Sequence, residues 1–130
     1  MGAPGGPANP VNPPGAPGAT LAPGLGRGDV VIVPFPFSDL SATKQRPALV
    51  VAALPGIDVI LCQITSQSAS GRVTLAITAT DFVVGTLARD SFVRPERIFT
   101  AATAITRRVG HLSDVKTQQA IAEMVRLLTT

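Results

Sequence analysis

Three apolar, β-branched runs separated by turn residues fill the chain from Gly28 to Gln67. The first, Val30-Val31-Ile32-Val33, follows Gly28-Asp29 and ends at Pro34-Phe35-Pro36-Phe37, because proline cannot serve a central ladder. A polar loop, Ser38 to Gln45, leads into Arg46-Pro47-Ala48-Leu49-Val50-Val51. Past Pro55-Gly56 comes Asp58-Val59-Ile60-Leu61-Cys62-Gln63-Ile64-Thr65-Ser66-Gln67. Such runs predict three strands. The Pro55-Gly56 turn predicts that the second and third form a hairpin. Arg46 lies nine residues before that turn and Thr65 nine after it, so the two can face each other across the ladder.

Beyond a second loop, Ser68-Ala69-Ser70-Gly71, the alternation of Arg72 to Thr78 predicts a fourth strand. Asp81 to Arg89 is ambiguous, with Phe82-Val83-Val84 favouring a strand that Gly85 breaks. Asp90 to Thr100 reads as a strand interrupted at Pro95, which predicts an edge or a bulge. Ile105 to Leu112 reads as a short last strand ending at Gly110. Ser113 then predicts a helix N-cap, with Asp114 in the favourable first turn and Arg126 in the last. Ile121, Met124, Val125 and Leu128 have i, i+3, i+4, i+7 spacing and predict a stripe facing the sheet. The expected fold class is mainly β (α+β): five or six short antiparallel strands closed by a C-terminal amphipathic helix, a small barrel rather than a βαβ sheet.

Residues 1–26 differ in kind, with 7 Pro, 7 Gly and no charged side chain. Such a segment buries too little apolar surface to offset its ordering entropy, so it is expected to be a disordered tail or linker, or the remnant of an upstream region or fusion. The folded domain is expected over 27–130. Its 45% apolar content supports a core, and 15% charged residues excludes a highly charged disordered chain. A net charge of +3 leans only mildly toward polyanions.

The chain has one cysteine, Cys62, and one histidine, His111. An intrachain disulfide and a Cys/His zinc site are therefore both excluded. Cys62 sits in an apolar strand and is expected to be a small core residue. No apolar run approaches the roughly 20 residues a membrane helix needs. The N-terminal stretch has no basic residue before Arg27 and no apolar core segment, so a secretory signal is not expected. The reading is a cytoplasmic protein.

A cation beside hydroxyl and amide groups at a sheet rim makes an anion site, and Arg46 with Thr65-Ser66-Gln67 is such a set. Phe35 and Phe37 share a face by the period of two; packing is expected there, with base stacking as the alternative. His111 is expected to pack or cap, and Arg107-Arg108 to be a solvated pair, with part of a nucleic-acid surface as the alternative. Arg94 and Arg97 flank Pro95-Glu96 and are open between ion-pair, interface and phosphate-contact roles.

The stretches Gly28-Asp29-Val30-Val31, Arg46-Pro47-Ala48-Leu49-Val50, Ile64-Thr65-Ser66-Gln67, Asp90-Ser91 with Ile98-Phe99-Thr100, and Gly110-His111-Leu112-Ser113, in this order, resemble the MazF/PemK toxins. The resemblance spans Arg27 to Leu128 and excludes the tail. It implies an SH3-like β-barrel, CcdB/MazF-like, and a homodimer. It further implies the toxin of a type II toxin–antitoxin system: a metal-independent endoribonuclease, without cofactor, that cuts single-stranded mRNA at short sequences and so stops translation and growth. The implied partners are RNA and a cognate antitoxin whose acidic C-terminal segment occupies the RNA groove, with DNA reached only through that antitoxin. The family's catalytic arginine and threonine fall on Arg46 and Thr65.

Metal-free cleavage lets a 2′-hydroxyl attack the neighbouring phosphorus, giving 2′,3′-cyclic phosphate and 5′-hydroxyl ends. Arg46 suits charge stabilisation, and Thr65 can donate its hydroxyl to the phosphate. Lys44, Ser66, Gln67, Ser41 and Asp39 are the expected substrate-binding set. Some family members are thought to use a Glu or His before the Arg-Pro pair; here that loop has neither, and Asp39 is the candidate base. Two rival readings share the fold: a noncatalytic gyrase poison of the CcdB type, and a decayed toxin acting as an antitoxin sink.

Overall fold

The computed structural model describes residues 24–35, 44–67, 74–103 and 106–130. Seven strands precede one helix: β1 (Asp29–Phe35), β2 (Lys44–Ala53), β3 (Asp58–Thr65), β4 (Leu75–Ile77), β5 (Phe82–Gly85), β6 (Ser91–Ala102), β7 (Arg107–Leu112) and α1 (Asp114–Leu128). All pair antiparallel in one sheet of order β4-β6-β3-β2-β1-β7-β5. Register shifts at Val30/Val31, Val50/Ala52 and Cys62/Ile64 bend the strands, and the sheet curls into a half-barrel with α1 packed on it. The mainly β, helix-closed architecture expected from the pattern is the one found, with seven strands in place of the five or six expected because the ambiguous stretch adds edge strand β5.

Strand periodicity splits the core between two faces. On one, Val30, Leu49, Cys62, Ile64, Ile77, Val93 and Leu112 meet Ala120 and Met124 of α1. On the other, Val31, Val33, Ala48, Val50, Val59 and Leu61 form a second buried cluster, joined by Leu25, Phe99 and Ala101. Cys62 is fully buried, as its apolar run implies.

Proline positions follow the supply of backbone donors. Pro34 pairs with Gln45 of β2, while the β1–β7 ladder stops at Ile32, so its missing N–H leaves no gap there. Pro47 pairs with Ile32 on one side, and the β2–β3 ladder begins only at Ala48. Pro95 falls in a bulge: Ile64 pairs with Val93 but Cys62 with Ile98, so four β6 residues span the space of one on β3.

Three expectations change. The ambiguous stretch becomes a short 3-10 turn at Ala79–Asp81 followed by edge strand β5. The last strand runs through Gly110 to Leu112, because a residue without Cβ lets β5 come close; a Cβ at Gly110 would lie 2.8 Å from the Val84 carbonyl oxygen. The helix buries Thr117, Ala120 and Met124, while Val125 and Leu128 are exposed at 52% and 74%. Small Thr117 and Ala120 let the helix approach closely, which turns the buried stripe toward them. Ser113 caps as expected, its side chain accepting from the Lys116 N–H at 3.2 Å.

Gly85 adopts φ +66°, and a Cβ there would overlap the Val109 carbonyl oxygen. Gly85→Ala should therefore detach β5 and lower stability by about 1–3 kcal/mol. Urea unfolding measures the loss, and hydrogen exchange should show it concentrated in β5 and β7.

Candidate active site

The β2–β3 hairpin brings Arg46 and Thr65 to the same end of the sheet. Their ladder pairs Ala48 with Gln63, Leu49 with Cys62 and Val50 with Leu61. Continued at that offset past Pro47, Arg46 comes level with Thr65. Residues directly opposite in an antiparallel pair share a face, here that of Ala48, Val50 and Leu61. Val33 of β1 pairs with Arg46 from the other side, and Phe92 of β6 pairs with Thr65.

Arg46 is half-buried, and its Nε is fully buried with no hydrogen-bond partner among the described residues. The Gln63 side-chain oxygen Oε1 is in the same condition, in a residue only 6% exposed. Each unmade buried bond costs about 1–3 kcal/mol, which marks the place as unusual. Thr65 is half-buried, and its hydroxyl oxygen accepts the Gln67 backbone N–H at 3.2 Å. That bond fixes the oxygen and leaves its own O–H to donate outward.

Lys44, Ser66 and Gln67 are exposed around this end. Lys44 begins β2, one residue pair beyond Arg46 on the same face, rather than belonging to the preceding loop. Asp39 and Ser41 lie outside the described residues. Gln63 draws no notice in the sequence. Its signal is a lone amide inside an apolar run, two positions before Thr65 and so on the same face.

A second polar cluster joins β1 to β7. Asp29 is 1% exposed; its Oδ2 accepts the Gly26 N–H at 2.9 Å, and its Oδ1 accepts from His111 Nδ1 at 2.8 Å and faces Arg108 at 3.5 Å. His111 thus braces the fold, as expected of it. Arg108 is not solvated, contrary to expectation, because the buried carboxylate needs a cation; Arg107 beside it is exposed. Arg94 pairs with Glu96 at 2.7 Å on the β6 bulge, and the bulge is tied down by the Cys62 thiol donating to the Arg94 carbonyl at 2.9 Å. Burial first, and the Glu96 charge second, push the Cys62 thiol up to about 12.

A sequence model described as "PemK-like, MazF-like toxin of type II toxin-antitoxin system" matches residues 26–128. The chain belongs to this toxin family. Among solved structures, MazE-MazF from Deinococcus radiodurans superposes with TM-score 0.64 at 15% identity, covering 82% of this chain and 97% of the other. An endoribonuclease in complex with its cognate antitoxin from a Mycobacterial species superposes with TM-score 0.54 at 16% identity, covering 78% and 92%. At such identities these likenesses bear on the fold. No curated protein matches the chain.

Asp29→Ala leaves His111 and Arg108 without their carboxylate and should cost about 3–5 kcal/mol in urea unfolding. Cys62 sets an alkaline limit. Its thiol ionises near 9 when unfolded and near 12 when folded, so the folded form holds the extra proton between those values. Stability should be intact below pH 9 and fall as pH rises toward 12, less steeply in Cys62→Ala; denaturant titrations across that range measure it.

Proposed function

We propose that this toxin is a metal-independent endoribonuclease that cleaves single-stranded mRNA and thereby halts translation. The observation that carries the reading is Arg46: a permanent cation, half-buried, its Nε without a partner among the described residues, at the strand end it shares with Thr65. A guanidinium held this way suits the non-bridging oxygens of a phosphodiester.

In the proposed reaction the 2′-oxygen bonds to phosphorus while the P–O5′ bond breaks. The 2′-hydroxyl proton leaves to a base, and the departing 5′-oxygen takes up a proton. Arg46 neutralises the growing charge on the phosphoryl oxygens. Thr65, its oxygen fixed by the Gln67 N–H, donates to the same phosphate and holds it in line. Lys44 adds positive charge from the same strand, and Ser66 and Gln67 offer polar contacts to the flanking nucleotides. Asp39 is the proposed base, and Ser41 a further contact from its loop. The working form is proposed to be a cytoplasmic homodimer, with an acidic antitoxin segment competing with RNA for the basic strand end. Among the described residues no helix is long and apolar enough to cross a membrane.

Purified protein incubated with mixed-sequence RNA in EDTA should yield 2′,3′-cyclic phosphate and 5′-hydroxyl ends. Arg46→Ala should lower the cleavage rate by about 100–1,000-fold, the scale for losing a transition-state donor. Thr65→Ala should lose less, about 10–100-fold, because a single neutral hydroxyl is removed. RNA left intact by the parent, or cut equally fast by Arg46→Ala, would overturn the reading. Intact RNA with gyrase-linked DNA breaks would favour a noncatalytic poison.

A further inference from the structure

We infer that Gln63 is a positioning residue for Arg46, its side-chain carbonyl taking the Arg46 Nε–H when RNA is bound; this rests on the nuclease reading above. Three buried side-chain atoms lack partners among the described residues: Arg46 Nε, Gln63 Oε1 and Thr117 Oγ1. Thr117 belongs to α1, near Gly28 and His111. The other two lie at one end of the β2–β3 pair and are complementary, since Nε–H only donates and Oε1 only accepts.

The ladder sets their spacing. Gln63 sits opposite Ala48, and Arg46 is two residues before Ala48 on the same face. Arg46 and Gln63 are therefore diagonal cross-strand neighbours, a separation of roughly 7–8 Å that long side chains bridge. One hydrogen bond between them satisfies both buried atoms. Among the described residues neither atom has a partner, so the bond remains to be made as the side chains settle on a ligand.

The bond decides which edge of the guanidinium meets the phosphate. A guanidinium can present a fork of two terminal nitrogens, or a side fork that uses Nε and one terminal nitrogen. With Nε–H given to Gln63, only the end-on fork is free, and the carbonyl dipole disfavours an anion on the Nε side. Thr65 lies two positions further along β3 on the same face, where its hydroxyl meets a phosphate held end-on. Gln63 itself, only 6% exposed, touches no substrate.

The test uses the full chain and an RNA oligonucleotide spanning a cleavage site mapped with the parent. Gln63→Met keeps the length and removes the acceptor; it should lower kcat about 100-fold, the scale of a misplaced catalytic group, with KM within about threefold. Gln63→Glu restores an acceptor and should recover kcat to within about tenfold of the parent. In an Arg46→Lys background, which lacks Nε, Gln63→Met should cause less than about a twofold further loss. Should Gln63→Met fail to fold, nitrogen-15 NMR of the parent decides. The Arg46 Nε–H, assigned by its absence in Arg46→Lys, should shift and exchange more slowly when the same oligonucleotide with a 2′-deoxy cleavage site is added. Parent-like kcat in a folded Gln63→Met, or an unchanged Nε–H signal on binding, overturns this assignment while leaving an Arg46-dependent nuclease intact. Arg46→Ala cutting at the parent rate removes both.

Discussion

The register of β2 against β3 is the constraint on which the rest depends. It sends Leu49, Cys62 and Ile64 toward the helix and Ala48, Val50 and Leu61 to the opposite cluster. A slip of one residue would exchange these faces and turn every apolar side chain the wrong way. The same offset sets Arg46 level with Thr65 and diagonal to Gln63. Core packing and the arrangement of polar groups at the strand end are thus fixed together, and neither can change without the other.

Pro47 separates the two regions. Having no N–H, it stands where the β2–β3 ladder has ended, while β1 still holds β2 through the pairs from Leu49 to Lys44. Arg46 is held on one side by a strand and left free of ladder bonds on the other. That arrangement keeps a long cationic side chain on a paired strand whose other backbone edge is unladdered, which suits the phosphate-holding role proposed for it. The Asp29 cluster performs a different task at the opposite end of β1, where it ties β7 and the residues before β1 to one buried carboxylate.

Much of this was legible in the sequence because strands and caps are local. The β-branched runs, the Pro55-Gly56 turn, the Ser113 cap and the Pro95 bulge each follow from a few adjacent residues. Counting from Pro55-Gly56 brings Arg46 level with Thr65, but it does so because two offsets cancel. The pairs beside the turn, Ala53 with Val59 and Ala52 with Ile60, are one residue out of that count, and the bulge between Val50 and Ala52 restores it. What escaped depends on partners distant in the chain. Arg108 reads as a surface charge until Asp29, 79 positions earlier, proves to be buried beside it. The buried helix stripe is set by Thr117, which a hydrophobicity count passes over. Gln63 gains meaning only when its carbonyl is found enclosed and without a partner among the described residues. Asp39 and Ser41 lie outside the described residues, so their placement stays as the sequence left it.

The half-barrel ends in two short margins, β4 with three residues and β5 with four. An unclosed sheet invites neighbouring molecules to add strands, and Val83 and Val84 on β5 are 67% and 51% exposed. Three or four residues offer too few backbone bonds to seed such stacking, and the left-handed turn at Gly85 takes the chain out of line before more accumulate. Brevity at the rims keeps the backbone that β4 and β5 themselves offer to three and four residues.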